Sequence, residues 1–189
     1  MNQKSIIFWQ PKSDFLTILQ ASLSGRRLLV ILNYIIWIFF FYISFLLVRH
    51  NSNIFFQLFL ATLVSEIIER LLKNKVYWRR PMFTRHQSTP SGLVDSWYKT
   101  GSFPSGHTIK STFFFLFLLQ YPVFDPFVFL ILVLPLLAFR ILVGFHYPVD
   151  MLGGLVIGSL VWFFARLVVF PLFMVNTIRD IFNFIFLIN

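Results

Sequence analysis

Residues 28–48 read LLVILNYIIWIFFFYISFLLV, 21 consecutive positions without a charged side chain. That length matches the roughly 20 residues a helix needs to cross a hydrocarbon core. Within hydrocarbon every backbone N–H and C=O must find its partner internally, and a single apolar run does so as a helix. The flanking sequence repeats the pattern. Ile54–Leu72, Thr108–Tyr121, Phe127–Val143 and Pro148–Arg166 are further apolar segments, divided by polar or Pro-containing connections. The expected fold is all-α: a polytopic membrane helix bundle of five to six spans.

Composition agrees. Of 189 residues, 58% are hydrophobic, 27 are Phe and only 12% are charged, against roughly 25% charged in an ordinary soluble domain. Mean hydropathy is +0.78. These values exclude a disordered chain and a water-soluble globule, and they make a lipid bilayer the expected surroundings. The net charge is +9, yet the aromatic residues fill long apolar runs rather than alternating with Lys and Arg, which argues against a nucleic-acid partner. Cysteine is absent, so disulfides, thiol catalysis and zinc–thiolate sites are excluded.

The chain divides into three parts. Residues 1–27 carry Lys4, Lys12, Arg26 and Arg27 around a short apolar stretch, Phe15–Leu23, that follows a cap residue, Ser13. This stretch is too short to span and reads as an interfacial amphipathic helix rather than a secretory signal. Residues 28–170 form the membrane-embedded domain. Residues 171–189 are an apolar tail with Arg179 and Asp180 in its middle, and its placement stays open between the surface and a sixth span. Within the domain, residues 73–106 form a polar segment long enough to be functional. Two crossings separate it from residues 140–150, so both lie on one face of the membrane and place an active site there.

That face collects the residues able to do chemistry. Lys73 and Arg80-Pro81 follow the second span, Pro104-Ser105-Gly106-His107 opens the third, and Arg140, His146 and Asp150 flank the start of the fifth. Singly, a cation at a helix end is an interfacial anchor and a boundary His is structural. As a set they suit a phosphoryl group. Lys73, Arg80 and Arg140 supply cations, the arginines bidentately. The amides of Ser105 and Gly106 at a helix start favour an anion. Two histidines offer a nucleophile and a general acid, and Asp150 can hold an imidazole tautomer. Outside this set, Glu66, Glu69 and Lys73 share a helical face, with Glu69 able to aim Lys73. Lys110 lies one turn beyond His107, where it reaches a second phosphate or snorkels. Trp78 and Trp97 read as headgroup-belt aromatics, His86 as a loop residue, and His50 as lying on the opposite side.

In order and spacing these residues resemble the type 2 phosphatidic acid phosphatase family, whose fold also includes vanadium haloperoxidases. The first motif, Lys, six residues, then Arg-Pro, corresponds to Lys73 and Arg80-Pro81. The second is Pro104–His107, and the third is Arg140, His146 and Asp150. Thr89-Pro90-Ser91-Gly92 imitates the second motif but is followed by Leu93. Phe139 stands where the family usually has Ser. The resemblance implies His146 as nucleophile through a phosphohistidine, Asp150 as its orienting partner and His107 as acid to the leaving oxygen. Lys73, Arg80, Ser105, Gly106 and Arg140 would hold phosphate. It also implies no cofactor and no metal, and the seven acidic residues form no paired cluster suited to two magnesium ions.

The layout resembles bacterial undecaprenyl-diphosphate phosphatases, which makes undecaprenyl diphosphate the first expected substrate. Phosphatidylglycerophosphate and phosphatidate are the alternatives. An inactive membrane scaffold fits intact motifs poorly, and haloperoxidases are soluble and larger. The expected location is the bacterial cytoplasmic membrane. Lys4, Lys12, Arg26, Arg27, Lys75, Arg79, Arg85 and Lys99 share the site's face, whereas Arg49 and Arg166 lie opposite. The positive-inside rule turns that face to the cytoplasm, while relatives acting on envelope lipids face outward. A phosphate pocket inflates the cation count of its own face, so the outward orientation is expected.

Overall fold

The computed structural model describes residues 6–11, 18–19, 22–85 and 100–186. Helices form α1 (Leu23–His50), α2 (Asn53–Asn74), α3 (Pro81–Arg85), α4 (Gly106–Gln120), α5 (Pro126–Leu142), α6 (Pro148–Leu167) and α7 (Leu172–Phe186), with no strand among the described residues. The five segments expected from the sequence are α1, α2, α4, α5 and α6. Their ends differ from expectation by a few residues for local reasons. α1 begins at Leu23 because Ser22 Oγ accepts from Gly25 N at 2.9 Å, which caps the helix ahead of the arginines. α5 begins at Pro126, where Asp125 Oδ1 accepts from Phe127 N at 2.8 Å and Val128 N at 3.0 Å. The tail is helical as α7. The expected amphipathic helix at Phe15–Leu23 lies largely outside the described residues, as do Ser13, His86, Thr89–Gly92 and Trp97.

α1 and α6 are each long and apolar enough to cross a membrane, and α5 is apolar but shorter. The outer surface carries many exposed large apolar side chains, including Ile38, Phe41, Phe59, Ile131, Val156 and Phe164. Water does not favour such a surface, and lipid does. The interior is built from heptad-like spacings. Ile36, Phe40, Ile43 and Leu47 of α1 and Ile54, Leu58 and Ala61 of α2 meet Ile109, Phe113 and Phe117 of α4. Phe40 stacks on Phe114 with ring centroids 4.8 Å apart.

α4 is the central helix. It packs against α1, α2, α5 and α6, with its closest partner α6, and its residues Thr108–Phe114 are all buried. The close approach comes from Gly154 and Gly158, one turn apart on α6. A Cβ at Gly158 would stand 2.5 Å from Ile109 O and 2.7 Å from Thr112 Cβ, and one at Gly154 would stand 2.7 Å from Thr108 Cβ. Small residues four apart let two backbones touch, so dispersion rather than water exclusion joins them. An apolar groove of about 300 Å³ runs between α2 and α6, lined by Leu60, Val64, Ile68, Ile157, Leu160 and Phe164 among others. None of the motif residues borders it.

Adding bulk at the α4–α6 contact should therefore separate these helices. Gly158→Val is expected to lose stability, about 1–3 kcal/mol for overpacking, seen as a lower Tm in detergent. Leu155→Val, half exposed on the same helix at 47%, should leave Tm unchanged.

Candidate active site

The starts of α4 and α6 and the ends of α2 and α5 lie together at one end of the bundle, joined by backbone hydrogen bonds. Gly101 N donates to Lys73 O at 3.0 Å and Ser102 N to Trp78 O at 3.2 Å, which closes the polar segment onto the end of α2. Ser105 N donates to Asp150 O at 3.1 Å, tying the start of α4 to the first turn of α6. Met82 N donates to Gly144 O at 3.0 Å, and Arg80 Nη1 to Phe145 O at 3.2 Å. These bonds link the three motif segments pairwise.

Local backbone chemistry aims each segment. Ser105 caps α4, its Oγ accepting from Thr108 N at 3.4 Å, and the Phe103–Pro104 peptide is cis. After α5 the chain reverses at Gly144, whose φ is +85°, a left-handed conformation that glycine adopts without steric cost. That reversal turns His146 back under the bundle's end. Val76 has φ 45°, unusual for a β-branched residue. Its amide reaches Lys73 O at 3.2 Å.

The structure brings all eight sequence-predicted residues to this end. Ser105 and Asp150 are fully buried, and Arg80, Arg140 and His146 nearly so. His146 Nδ1 lies 3.4 Å from Asp150 Oδ2, close enough to fix the ring's direction but not aligned as a full hydrogen bond. Asp150 Oδ2 also accepts from Tyr147 N at 2.8 Å. Its other oxygen accepts from Trp78 Nε1 at 2.9 Å. Trp78 is therefore not an aromatic belt residue but a holder of the carboxylate. His107 Nε2 is buried without a hydrogen-bond partner, and its ring meets the edge of Trp37 at 5.4 Å. Arg140 Nη1 donates to Asn33 Oδ1 of α1 at 3.1 Å, a contact no local sequence signal announces.

Lys73 pairs with Glu69 Oε1 as the i, i+4 spacing anticipates. Lys110 is buried and pairs with Glu66 Oε2 and Glu69 Oε2, each at 3.2 Å, so it does not snorkel. Phe139 packs against an apolar cluster of Met82, Phe83, Val143 and Phe145. Among the described residues no group of three or more His, Asp or Glu side chains converges as a metal site. His50 ends α1 at the opposite end of the bundle, 6.1 Å from the Tyr121 ring.

Electrostatics favours a neutral imidazole at His146. Burial, followed by the positive charges of Arg80, Lys73 and Arg140, pushes the His146 imidazole well below its ordinary value of 6.5. Burial also lowers the Arg80 guanidinium to about 10, against the attraction of Asp150 and Glu69, and leaves it charged at neutral pH. Neutral His146 keeps a lone pair, and with Nδ1 turned to Asp150 that lone pair is on Nε2. Three cations face a neutral imidazole beside a helix N-terminus, an arrangement able to bind an anionic centre and attack it.

A family model described as the PAP2 superfamily matches residues 54–174, which include every motif residue above. No curated protein and no solved structure gives a significant match.

The buried imidazole sets the sign of a pH dependence. Folded His146 binds a proton less readily than unfolded His146, so its contribution to stability is intact above about pH 6.5 and declines as the pH falls below it. Thermal melts from pH 7.5 to 5 should show falling Tm, with a shallower fall in His146→Asn.

Proposed function

The chain belongs to the PAP2 superfamily, membership that implies phosphatase activity on phosphate esters, and from that premise we propose that it removes a terminal phosphate from a membrane lipid. The observation that supports this most is the convergence of Lys73, Arg80, Arg140 and the start of α4 around the His146–Asp150 pair. The site lies at the end of helices whose outer surfaces are apolar, so a substrate dissolved in the bilayer reaches it with its headgroup already at the right depth.

In this reading the phosphoryl oxygens lie on Lys73, Arg80, Arg140 and the start of α4 at Gly106, while Ser105, whose amide is taken by Asp150 O, serves by capping that helix start. His146 Nε2 attacks phosphorus; the N–P bond forms as the P–O bond to the lipid breaks, and His107 gives its proton to the leaving oxygen. Water then attacks the phosphohistidine, returning a proton to His107 and releasing phosphate from His146. The cations and helix amides act on charge that grows in the transition state, usually the largest catalytic effect. Asp150 stabilises the imidazolium character of His146, and Tyr147 N and Trp78 Nε1 hold Asp150.

The substrate we favour is undecaprenyl diphosphate, with phosphatidylglycerophosphate and phosphatidate as alternatives, in a bacterial cytoplasmic membrane with the site facing outward. Phosphate release by the detergent-solubilised protein should proceed in excess EDTA with one of these lipids and vanish in His146→Ala. Full activity in that variant, or none in the unmodified protein, overturns the mechanism. Trp78→Phe removes a hydrogen bond to a charged group, worth about 1.5–3 kcal/mol. It should lower kcat roughly tenfold or more while KM stays close to unchanged. The chain has no cysteine, so Lys75→Cys, on an exposed turn at the site's end, reports orientation. Labelling of intact cells by an impermeant maleimide is expected, and labelling only after lysis would place the site in the cytoplasm.

A further inference from the structure

Glu69 stands where an incoming phosphate would need to be. One of its oxygens pairs with Lys73 Nζ, and the other lies 3.2 Å from Lys110 Nζ. The whole carboxylate rests against Gly106, so a Cβ at that position would overlap it. Gly106 is the first residue of α4, where unpaired amides and the helix dipole favour negative charge. The site thus already contains an anion, on the same lysine and at the same helix start that the phosphatase reading gives to the phosphoryl group.

We propose, resting on that reading, that Glu69 is a built-in competitor for phosphate, holding Lys73 with its own carboxylate and giving it up when an oxyanion enters. Lys110 makes the exchange workable. Its side chain is 4% exposed, it is shared between Glu66 and Glu69, and its Nζ stands 5.4 Å from the Trp37 ring centroid. When Lys73 turns to a phosphate, Glu69 keeps Lys110, and no buried carboxylate is stranded. The carboxylate and the phosphate then face each other as like charges. Their repulsion weakens the hold on released phosphate and speeds its departure. An aiming group for Lys73 has the opposite signature: its removal weakens anion binding, whereas removal of a competitor strengthens it.

The test is calorimetric titration of inorganic phosphate into the full chain in detergent, alongside product inhibition of turnover. Glu69→Gln should bind phosphate about tenfold tighter or more, equivalent to about 1.4 kcal/mol. Its KM and kcat should both fall, because release becomes slow. Lys110→Met leaves Glu69 with Lys73 alone, and phosphate binding should weaken. Unchanged or weaker phosphate binding in Glu69→Gln overturns the proposal and makes Glu69 an aiming group. If that variant does not fold, Glu69→Asp, with its shorter reach toward Lys73, decides by the same sign. If the unmodified protein neither binds phosphate nor releases it from any lipid, the phosphatase reading falls with it.

Discussion

Four buried or half-buried cations, Lys73, Arg80, Lys110 and Arg140, gather at the end of a bundle whose main core cluster is aliphatic and aromatic. Charge taken from water without a partner costs several kcal/mol per ion, so the surroundings of each are dictated. Glu69 serves two lysines, Glu66 shares one of them, and Asp150 lies close enough to act on Arg80. Arg140 has an amide oxygen from α1 and the Phe145 ring, 5.4 Å from its guanidinium carbon. The helix ends, the turn at Gly144 and the closure of the polar segment onto α2 can each be understood as meeting this requirement. The chemical outcome is a site suited to the phosphate group proposed for it: positive charge held in place by partners that do not fully quench it.

Helix packing is arranged to the same end. Because Gly154 and Gly158 bring α6 onto α4, the two N-termini lie side by side and Ser105 N reaches Asp150 O. Larger residues on that face would move His146 and Asp150 away from Ser105 and Gly106. Close packing in the first turns below the site therefore sets the distance between the residues proposed to attack phosphorus and those proposed to hold its oxygens.

Much of this was legible in the sequence, and the exceptions share a cause. The long helices follow from uninterrupted apolar runs, because hydrocarbon leaves no other backbone solution. That the eight candidate residues converge at one end follows from motif spacing together with the crossing count that puts both polar segments on one side. The Glu69–Lys73 pair follows from i, i+4 geometry. Trp78 was misread because its partner Asp150 is 72 positions away, and a Trp near a helix end looks the same whether it faces lipid or a carboxylate. Asn33 sits within an apolar run, and its link to Arg140 spans 107 positions. For Lys110 the sequence leaves a second phosphate and snorkelling equally open, because nothing local reveals that α4 is surrounded on all sides. Each of these contacts depends on tertiary neighbours, which periodicity does not encode.

Val76 shows where the molecule sets stability against geometry. A β-branched side chain in the left-handed region costs of order 1–3 kcal/mol, and here the strained residue stands just past Lys75, the C-cap of α2. Its amide and that of Gly101 both converge on the carbonyl of Lys73. A relaxed turn at this point would allow the last residues of α2 to unwind or rotate, and Lys73 would swing with them. The strain works as a brace. It is tolerated because two hydrogen bonds hold the lysine's own backbone, so selection for a more robust fold and selection for a rigid cation act in opposite directions on one side chain.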